Sequence, residues 1–233
     1  KHWGGWKAGT GATTEIPREP PPTAAKYVHV PWASETLPWV SVAYLGPAFD
    51  ERSKDSGAME ILAALYFGST SDLYKRLVVT EQKVDQLLVD PSSSVDASLF
   101  TVLARVKNPA DAVYVRDQIM ATLADARSRP VAAERLADSK SFNKYAFSRT
   151  LDSTERIAAV VSAFVPYQRS FDTVNTYYRT IDTLTPADIQ AAARRYFVDN
   201  SLIVTTLSKG TLPAGIDTLP SLDKIATAKA APV

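Results

Sequence analysis

The alternation of apolar and polar residues along the chain predicts five β-strands. Between residues 27 and 33 the apolar side chains of Val28, Val30 and Trp32 fall on one face, as in a strand with one covered side. Residues 39–45 are apolar on both faces, which indicates a central strand of a sheet. The predicted strands are residues 27–33, 39–45, 84–90, 97–107 and 202–207.

Other segments have apolar residues at intervals of three and four, which predicts helices. The order Asn108-Pro109-Ala110-Asp111 combines a capping side chain, a proline at the first turn and an acid near the positive helix end. The same order recurs at Thr185-Pro186-Ala187-Asp188, so a helix start is predicted at both places. The predicted helices begin near Ser53 or Ser56, and near Ser71, Asn108, Pro130, Asp152, Ser170 and Thr185.

The grouping of strands apart from helices predicts an α+β fold, with a mixed, largely antiparallel sheet and helices packed on one face. We predict the sheet domain over residues 26–209. Residues 1–25 are interpreted as a linker and the end of a preceding domain, because their prolines favour an extended path. Residues 210–233 are small and contain proline, which predicts a flexible tail.

Composition and charge exclude several classes of function. The 233 residues are 45% hydrophobic and 22% charged, as in ordinary globular proteins. The net charge of +1 offers no field for nucleic acid, and no apolar run reaches the length of a membrane span. The absence of cysteine excludes disulfides, thiolate metal sites and a cysteine nucleophile. Because exported bacterial proteins often lack cysteine too, the compartment stays open, and a periplasmic location is only a prediction.

The sequence carries no catalytic or metal-binding constellation of its own. Its two histidines, His2 and His29, lie far apart, and His29 is predicted on the strand face opposite Val28 and Val30. A zinc site needs three or four converging ligands, which these residues do not supply. The glycines near the N-terminus follow no predicted strand, so they do not form a phosphate loop. We therefore assign no catalytic residue, metal ligand or cofactor to this chain.

Three motifs, in this order and at this spacing, resemble the insulinase/pitrilysin-like zinc metallopeptidases, the inverzincins. The first is the strand Trp39–Phe49, which ends in Gly46-Pro47-Ala48-Phe49. The second is Ser71-Asp72-Leu73-Tyr74-Lys75-Arg76-Leu77, followed by Glu81-Gln82. The third is Leu184-Thr185-Pro186-Ala187-Asp188-Ile189, followed by Tyr196-Phe197. The resemblance identifies residues 26–208 as the C-terminal, non-zinc domain of such an enzyme, with a mitochondrial-processing-peptidase-like metallohydrolase fold.

The resemblance implies a role in peptide hydrolysis that this chain shares with domains outside it. In the family, a His-x-x-Glu-His motif and a distal glutamate hold zinc and activate the zinc-bound water. This chain has no such motif, so zinc is expected in a missing N-terminal domain. The implied role of this chain is to enclose and bind peptides, which in the family add an extended strand to a sheet edge. Glu81 and Gln82 are implied to face the substrate.

The resemblance also implies partners, namely a homologous N-terminal zinc domain and a second homologous subunit. Some partner domains carry an arginine, six further residues and a tyrosine that contact substrate near zinc. Alignment on Glu81-Gln82 places Val78 and Asp85 at these two positions, and neither matches. The arginine and tyrosine are therefore expected from another subunit, with Val78 packed under the second helix and Asp85 facing solvent.

Two other interpretations stay open. The chain could be a structural or assembly domain of a catalytically inactive peptidase homologue. It could also be an interaction module that is unrelated to peptidases, in which case helices packed on one face of a mixed sheet would not be expected.

Overall fold

A computed structural model describes residues 2, 4–7, 9, 11, 17, 19–91, 93–168, 170 and 172–225. Its strands are β1 (Lys26–Pro31), β2 (Trp39–Leu45), β3 (Val84–Asp90), β4 (Leu99–Val106) and β5 (Ile203–Ser208). Its α-helices are α1 (Lys54–Phe67), the single turn α2 (Asp72–Tyr74), α3 (Ala112–Ser128), α4 (Ala133–Thr150), α5 (Thr154–Gln168), α6 (Thr173–Asp182) and α7 (Pro186–Tyr196). A π-helix spans Lys75–Thr80, and 3₁₀ turns span Pro109–Asp111 and Asp199–Ser201. The predicted linker over residues 1–25 lies partly outside the described residues.

The five strands form one mixed sheet in the order β1-β5-β2-β4-β3. β1 runs parallel to β5, and the other three pairings are antiparallel. β2 is the middle strand, in agreement with its apolar residues on both faces. The predicted α+β fold with a largely antiparallel sheet is confirmed.

The helix-covered face of the sheet is built from alternate residues of the central strands. The inward residues of β4 are Phe100, Val102, Ala104 and Val106, all fully buried. The ring of Phe100 lies 5.1 Å from that of Phe197, which follows α7, and 6.0 Å from that of Phe67 at the end of α1. This aromatic cluster joins the sheet to two helices, and its large buried area makes it a main source of stability.

Two helix starts follow the predicted capping chemistry. Thr185 and Asp188 form a capping box in front of α7, because each side chain accepts from the other residue's backbone N–H. The side chain of Asn108 accepts from the backbone of Ala110 at 3.0 Å, as predicted. The first turn there is wound as a 3₁₀ helix, so α3 itself begins only at Ala112.

The structure corrects the boundary expected at residue 209, because residues 211–225 pack against the domain. Ile216 and Leu222 are buried in the core. Arg116 of α3 is only 4% exposed and donates from Nη1 to the carbonyl oxygens of residues 215, 216 and 218 at 2.6 to 2.8 Å. Asp199 accepts from the backbone N–H of Leu222 at 2.8 Å. The part of the predicted tail after residue 225 lies outside the described residues.

Helices α4 and α5 leave large apolar side chains exposed. On α4, Phe142 and Tyr145 are 68% and 65% exposed. Phe147 does pack, with its ring 4.1 Å from that of Tyr178. Within the described residues, no helix combines the length and the apolarity that crossing a membrane requires.

Candidate functional site

A row of three side chains crosses the sheet on the face that points away from the helices. Arg105 alternates with the buried Ala104 and Val106 of β4, so it points to this outer face. Its guanidinium donates to both carboxylate oxygens of Asp85, at 2.9 and 2.7 Å, and lies 5.6 Å from the ring centre of Trp39. Strand β4 thus presents a cation that is held between a carboxylate of β3 and an aromatic ring of β2.

A β-bulge in β3 brings Asp85 into this row. Val84 pairs with Val106 and Gln86 with Arg105, so Asp85 is one extra residue on the edge strand. The side chain of Asp85 is 26% exposed, and its hydrogen bonds from Arg105 hold the pKa of the carboxyl below its ordinary value. The prediction that Asp85 simply faces solvent is therefore corrected, because its charge is engaged by Arg105.

The segment before β3 has an unusual backbone. Lys75–Thr80 is wound as a π-helix, in which the backbone N–H of Glu81 donates to the carbonyl oxygen of Arg76 at 2.8 Å. Gln82 has a φ of 51°, in the left-handed region that residues other than glycine seldom occupy. π-helical turns and positive φ values are rare, and they are frequently found at functional sites.

The two residues that the resemblance singled out lie at the end of this segment. Glu81 accepts a hydrogen bond of 2.9 Å at Oε1 from the hydroxyl of Tyr114 on α3. Its Oε2 atom is buried and has no hydrogen-bond partner among the described residues. Gln82 is exposed. Burial, and secondly the bond to Glu81, raises the pKa of the Tyr114 hydroxyl above its ordinary value.

Lys83 and Val78 are the other residues of interest near Glu81. Val78 occupies the position that aligns with the family's arginine. The Nζ atom of Lys83 pairs with Asp111 Oδ1 at 2.5 Å and lies 5.4 Å from the ring centre of Tyr114. Val78 is partly buried and packs against the hydrophobic core. The end of the π-helix is thus tied to α3 and to the turn before it, while position 78 presents no polar group.

The histidines are not part of a metal site in the described residues. His29 lies on β1, and its Nδ1 atom is 3.0 Å from the hydroxyl oxygen of Thr206 on the neighbouring strand β5. His2 is exposed. Within the described residues, no three histidine, cysteine, aspartate or glutamate side chains converge as metal ligands. His29 therefore serves as a strand residue that bonds across the sheet.

Two adjoining cavities lie on the helix side of the molecule, with volumes of about 320 and 220 Å³. The residues that line both are Leu65, Tyr66, Asp125, Arg129 and Arg135. Arg129 pairs with Asp125, and Arg135 pairs with Asp72 at 3.3 Å. We place the candidate site at the β3 edge and its preceding segment instead, because Glu81 and Gln82, which the resemblance singles out, lie there beside the irregular backbone.

Sequence reasoning missed Tyr114, Lys83 and Arg105 as members of the site. Tyr114 stands beside Val115 in a predicted helix, where it has the pattern of an ordinary amphipathic position. Its contact with Glu81 spans 33 positions, and that of Arg105 with Asp85 depends on the bulge. No local sequence signal marks either pair.

A sequence profile of the peptidase M16 inactive domain matches residues 1–142. The chain belongs to the M16 peptidase family as an inactive domain. This confirms the resemblance to insulinase-like zinc proteases. In this family zinc belongs to the catalytic domain. A search of curated proteins finds no match to the chain.

Solved structures share the fold of this M16 inactive domain. A protease from Helicobacter pylori is 24% identical with a TM-score of 0.77, over 86% of this chain and 48% of that one. A peptidase M16 inactive domain from Pseudomonas fluorescens is 15% identical with a TM-score of 0.70, over 86% and 47%. A chain of complex III2 from Candida albicans is 13% identical with a TM-score of 0.63, over 88% and 49%. The M16 inactive domain thus spans about half the length of each of these chains.

We predict that the M16 inactive domain, purified by itself, binds no stoichiometric zinc. Its two histidines lie far apart in the sequence, it has no cysteine, and within the described residues no three histidine, aspartate or glutamate side chains converge as ligands. Metal analysis after dialysis against a weak chelator measures this directly. One zinc per chain that disappears in a His29→Ala variant would contradict the prediction, whereas zinc that survives this substitution would point to carboxylate ligands.

Proposed function

We propose that this chain is the non-catalytic half of a zinc metallopeptidase, in which it helps to enclose and bind peptide substrates. The zinc and its activated water belong to a homologous catalytic domain outside this chain. In this proposal amide hydrolysis takes place on the other domain. This domain encloses the peptide and binds it along an edge strand of its sheet. The M16 inactive-domain match supports the pairing with a catalytic domain.

The observation that carries the proposal is the position of β3 at an edge of the sheet. Among the described residues β3 pairs with β4 on one side only, so alternate residues between Val84 and Val89 present backbone N–H and C=O groups on its other side. A peptide in extended conformation can pair with such groups whatever its sequence, as strand addition requires. The exposed Leu88 on this strand offers an apolar contact to the added chain.

Glu81 and Gln82 are the residues that we propose to meet the peptide where it enters this edge. They lie directly before β3, and Gln82 is exposed while Glu81 has a carboxylate oxygen without a partner in the described residues. An unpaired buried carboxylate oxygen is costly to keep, so a peptide donor would satisfy Oε2 once peptide binding displaced the groups that cover it. Both residues therefore act as binding groups, and neither takes part in bond cleavage.

The partners in this proposal are a homologous zinc domain and a second homologous subunit. The M16 inactive domain spans 48% of the Helicobacter pylori chain and 47% of the Pseudomonas fluorescens chain, which leaves room in each for a domain of similar size. Val78 packs against the core and Asp85 is engaged by Arg105, so neither offers a donor to a reacting carbonyl. We propose that arginine and tyrosine side chains of the second subunit supply these donors.

A second candidate function is that of a structural domain in an assembly without peptidase activity. The likeness to a chain of complex III2, with a TM-score of 0.63, favours this candidate because that chain is part of a large assembly. At 13% identity the likeness concerns the fold alone. The two candidates differ in one measurable respect, since only the first requires peptide to contact the β3 edge.

Photocrosslinking of a peptide tests the first candidate. The photoreactive residue p-benzoylphenylalanine replaces Gln82 in the full-length protein, and an unstructured labelled peptide is added with its zinc domain present. We expect the peptide to be captured at position 82, because this position precedes the free edge to which the peptide would add.

The matched control places the same photoreactive residue at Phe142, which is also exposed but lies on α4, on the helix side of the sheet. Capture at position 82 without capture at position 142 supports peptide binding at the β3 edge. Equal capture at both positions, or none at position 82, would refute it and favour the structural candidate.

A further inference from the structure

Three departures from regular backbone structure lie close together in residues 75–86. The π-helix holds more residues per turn than an α-helix would. Gln82 has a positive φ, and Asp85 is the extra residue of the β3 bulge. Each of these is unfavourable in an isolated chain, so the folded protein must hold the segment in place from outside.

Two side-chain hydrogen bonds hold the π-helix and the residue after it against α3. The hydroxyl of Tyr114 donates to Glu81 Oε1 at 2.9 Å, and Arg76 Nη1 donates to Gln118 Oε1 at 2.6 Å. Tyr114 and Gln118 are four positions apart and so lie on one face of α3. Hydrogen bonds thus join the π-helix to α3 near both of its ends. The fully buried Leu77 lies between these two bonds along the sequence.

We propose that Tyr114 is the positioning residue of the β3 edge, and this inference rests on the function proposed above. Its hydroxyl holds Glu81 at the end of the π-helix, so that the exposed Gln82 stands directly before β3. Of the two hydrogen bonds to α3, the bond from Tyr114 is the one next to the positive φ of Gln82 and the bulge at Asp85. Loss of this bond would therefore displace the residues of the proposed site. Arg76 and Gln118 hold the opposite end.

Loss of the Tyr114 contact removes the support for the strained winding. The segment can then rewind as an α-helix, which takes up one residue fewer and so releases one residue into the turn before β3. Gln82 would leave the left-handed region, and the released residue would be taken up by a shift of β3 by one position. Because side chains alternate along a strand, a shift of one residue turns each of them to the opposite face. Glu81 and Gln82 would then no longer stand before the peptide-binding edge.

The test is hydrogen exchange in the full chain with a Tyr114→Phe substitution, which removes only the hydroxyl. We expect the backbone amide of Glu81, which donates to Arg76, to exchange at least about tenfold faster, as for the loss of a bond to a charged acceptor. The NMR shifts of Gln82 should move away from those typical of positive φ. Amides of the central strand β4 should keep their protection, which shows that the fold is intact.

Two further variants make the result specific. Tyr145→Phe removes a hydroxyl from an exposed position on α4 and should leave the exchange of the Glu81 amide unchanged. Glu81→Gln keeps an acceptor for the Tyr114 hydroxyl and should keep most of the protection. Unchanged exchange at Glu81 and unchanged Gln82 shifts in Tyr114→Phe would overturn the proposal.

Photocrosslinking from position 82 distinguishes a failure of the positioning role of Tyr114 from a failure of the proposed peptide binding at the β3 edge. In the Tyr114→Phe background, peptide capture should fall by about tenfold if the hydroxyl positions the site. Full capture despite altered exchange would overturn the link between Tyr114 and peptide binding. No capture with Tyr114 intact would overturn the proposed function, while the exchange result would still decide whether Tyr114 positions the segment.

Discussion

Replacing Phe100 with alanine is expected to lower the free energy of unfolding by about 3–5 kcal/mol. Phe100 is fully buried on β4, and its ring contacts those of Phe67 and Phe197. Truncation therefore removes a large apolar area and leaves a cavity where the sheet meets α1 and α7, which rigid neighbours fill only in part. Chemical denaturation of the parent and the variant measures the difference.

The comparison variant for this experiment is Asn108→Ala, which is expected to cost about 1 kcal/mol. Asn108 accepts one hydrogen bond, from the backbone of Ala110, at an exposed helix start. Water can replace that bond once the side chain is gone, whereas nothing replaces the packing around Phe100. If Phe100→Ala destabilised the protein less than Asn108→Ala, Phe100 could not be a core residue and the register of β4 would be wrong.

Peptide cleavage by the full-length protein is expected to depend on a second homologous subunit. The donors that stabilise the developing negative charge near zinc are absent at Val78 and Asp85 in this chain. Loss of one such donor typically lowers the rate by about 10²–10³-fold, so the single protein should be slower than the pair by at least that factor. Activity of the purified protein is measured alone and with candidate subunits that carry the arginine and tyrosine.

The control is a partner subunit in which the arginine and the tyrosine have been replaced, so that it still binds but supplies no donor. This partner should restore little cleavage. Full activity of the rigorously isolated protein, unchanged by any partner, would contradict the two-subunit proposal. Inactivity in every combination would favour the structural candidate, because a domain that only supports an assembly needs no donors near zinc.

The sequence predicted the elements whose determinants are local. The alternation of Phe100, Val102, Ala104 and Val106 predicts a half-buried strand, and the structure buries all four. The capping pair Thr185 and Asp188 lies within one helical turn, so the start of α7 can be read from adjacent residues. The three family motifs also predicted the M16 inactive domain from their order and spacing, and the sequence profile confirms it.

Strand β3 shows how tertiary contacts overrode a local pattern. Strict alternation from Val84 would place Gln86 and Leu88 on the same face as Val84, yet the structure buries Val84 and Leu87 and exposes Leu88. The bulge at Asp85 causes this change of phase, and the pairing with Arg105 of β4 accompanies it. A strict alternation of buried and exposed residues cannot predict that Asp85 is an extra residue, because its partner Arg105 lies 20 positions further along the sequence.

The candidate site and the outer boundary of the domain were likewise decided only by the tertiary structure. Glu81 meets Tyr114 because α3 packs beside the π-helix, and residues 211–225 are held by Arg116, which is about 100 positions away in the sequence. Such contacts leave no periodic signal, since each depends on where separate elements dock. The sequence by itself therefore determined the strands, the helix starts and the family of this protein. Which side chains face a ligand, and how far the domain extends, were decided by packing between elements that are distant along the chain.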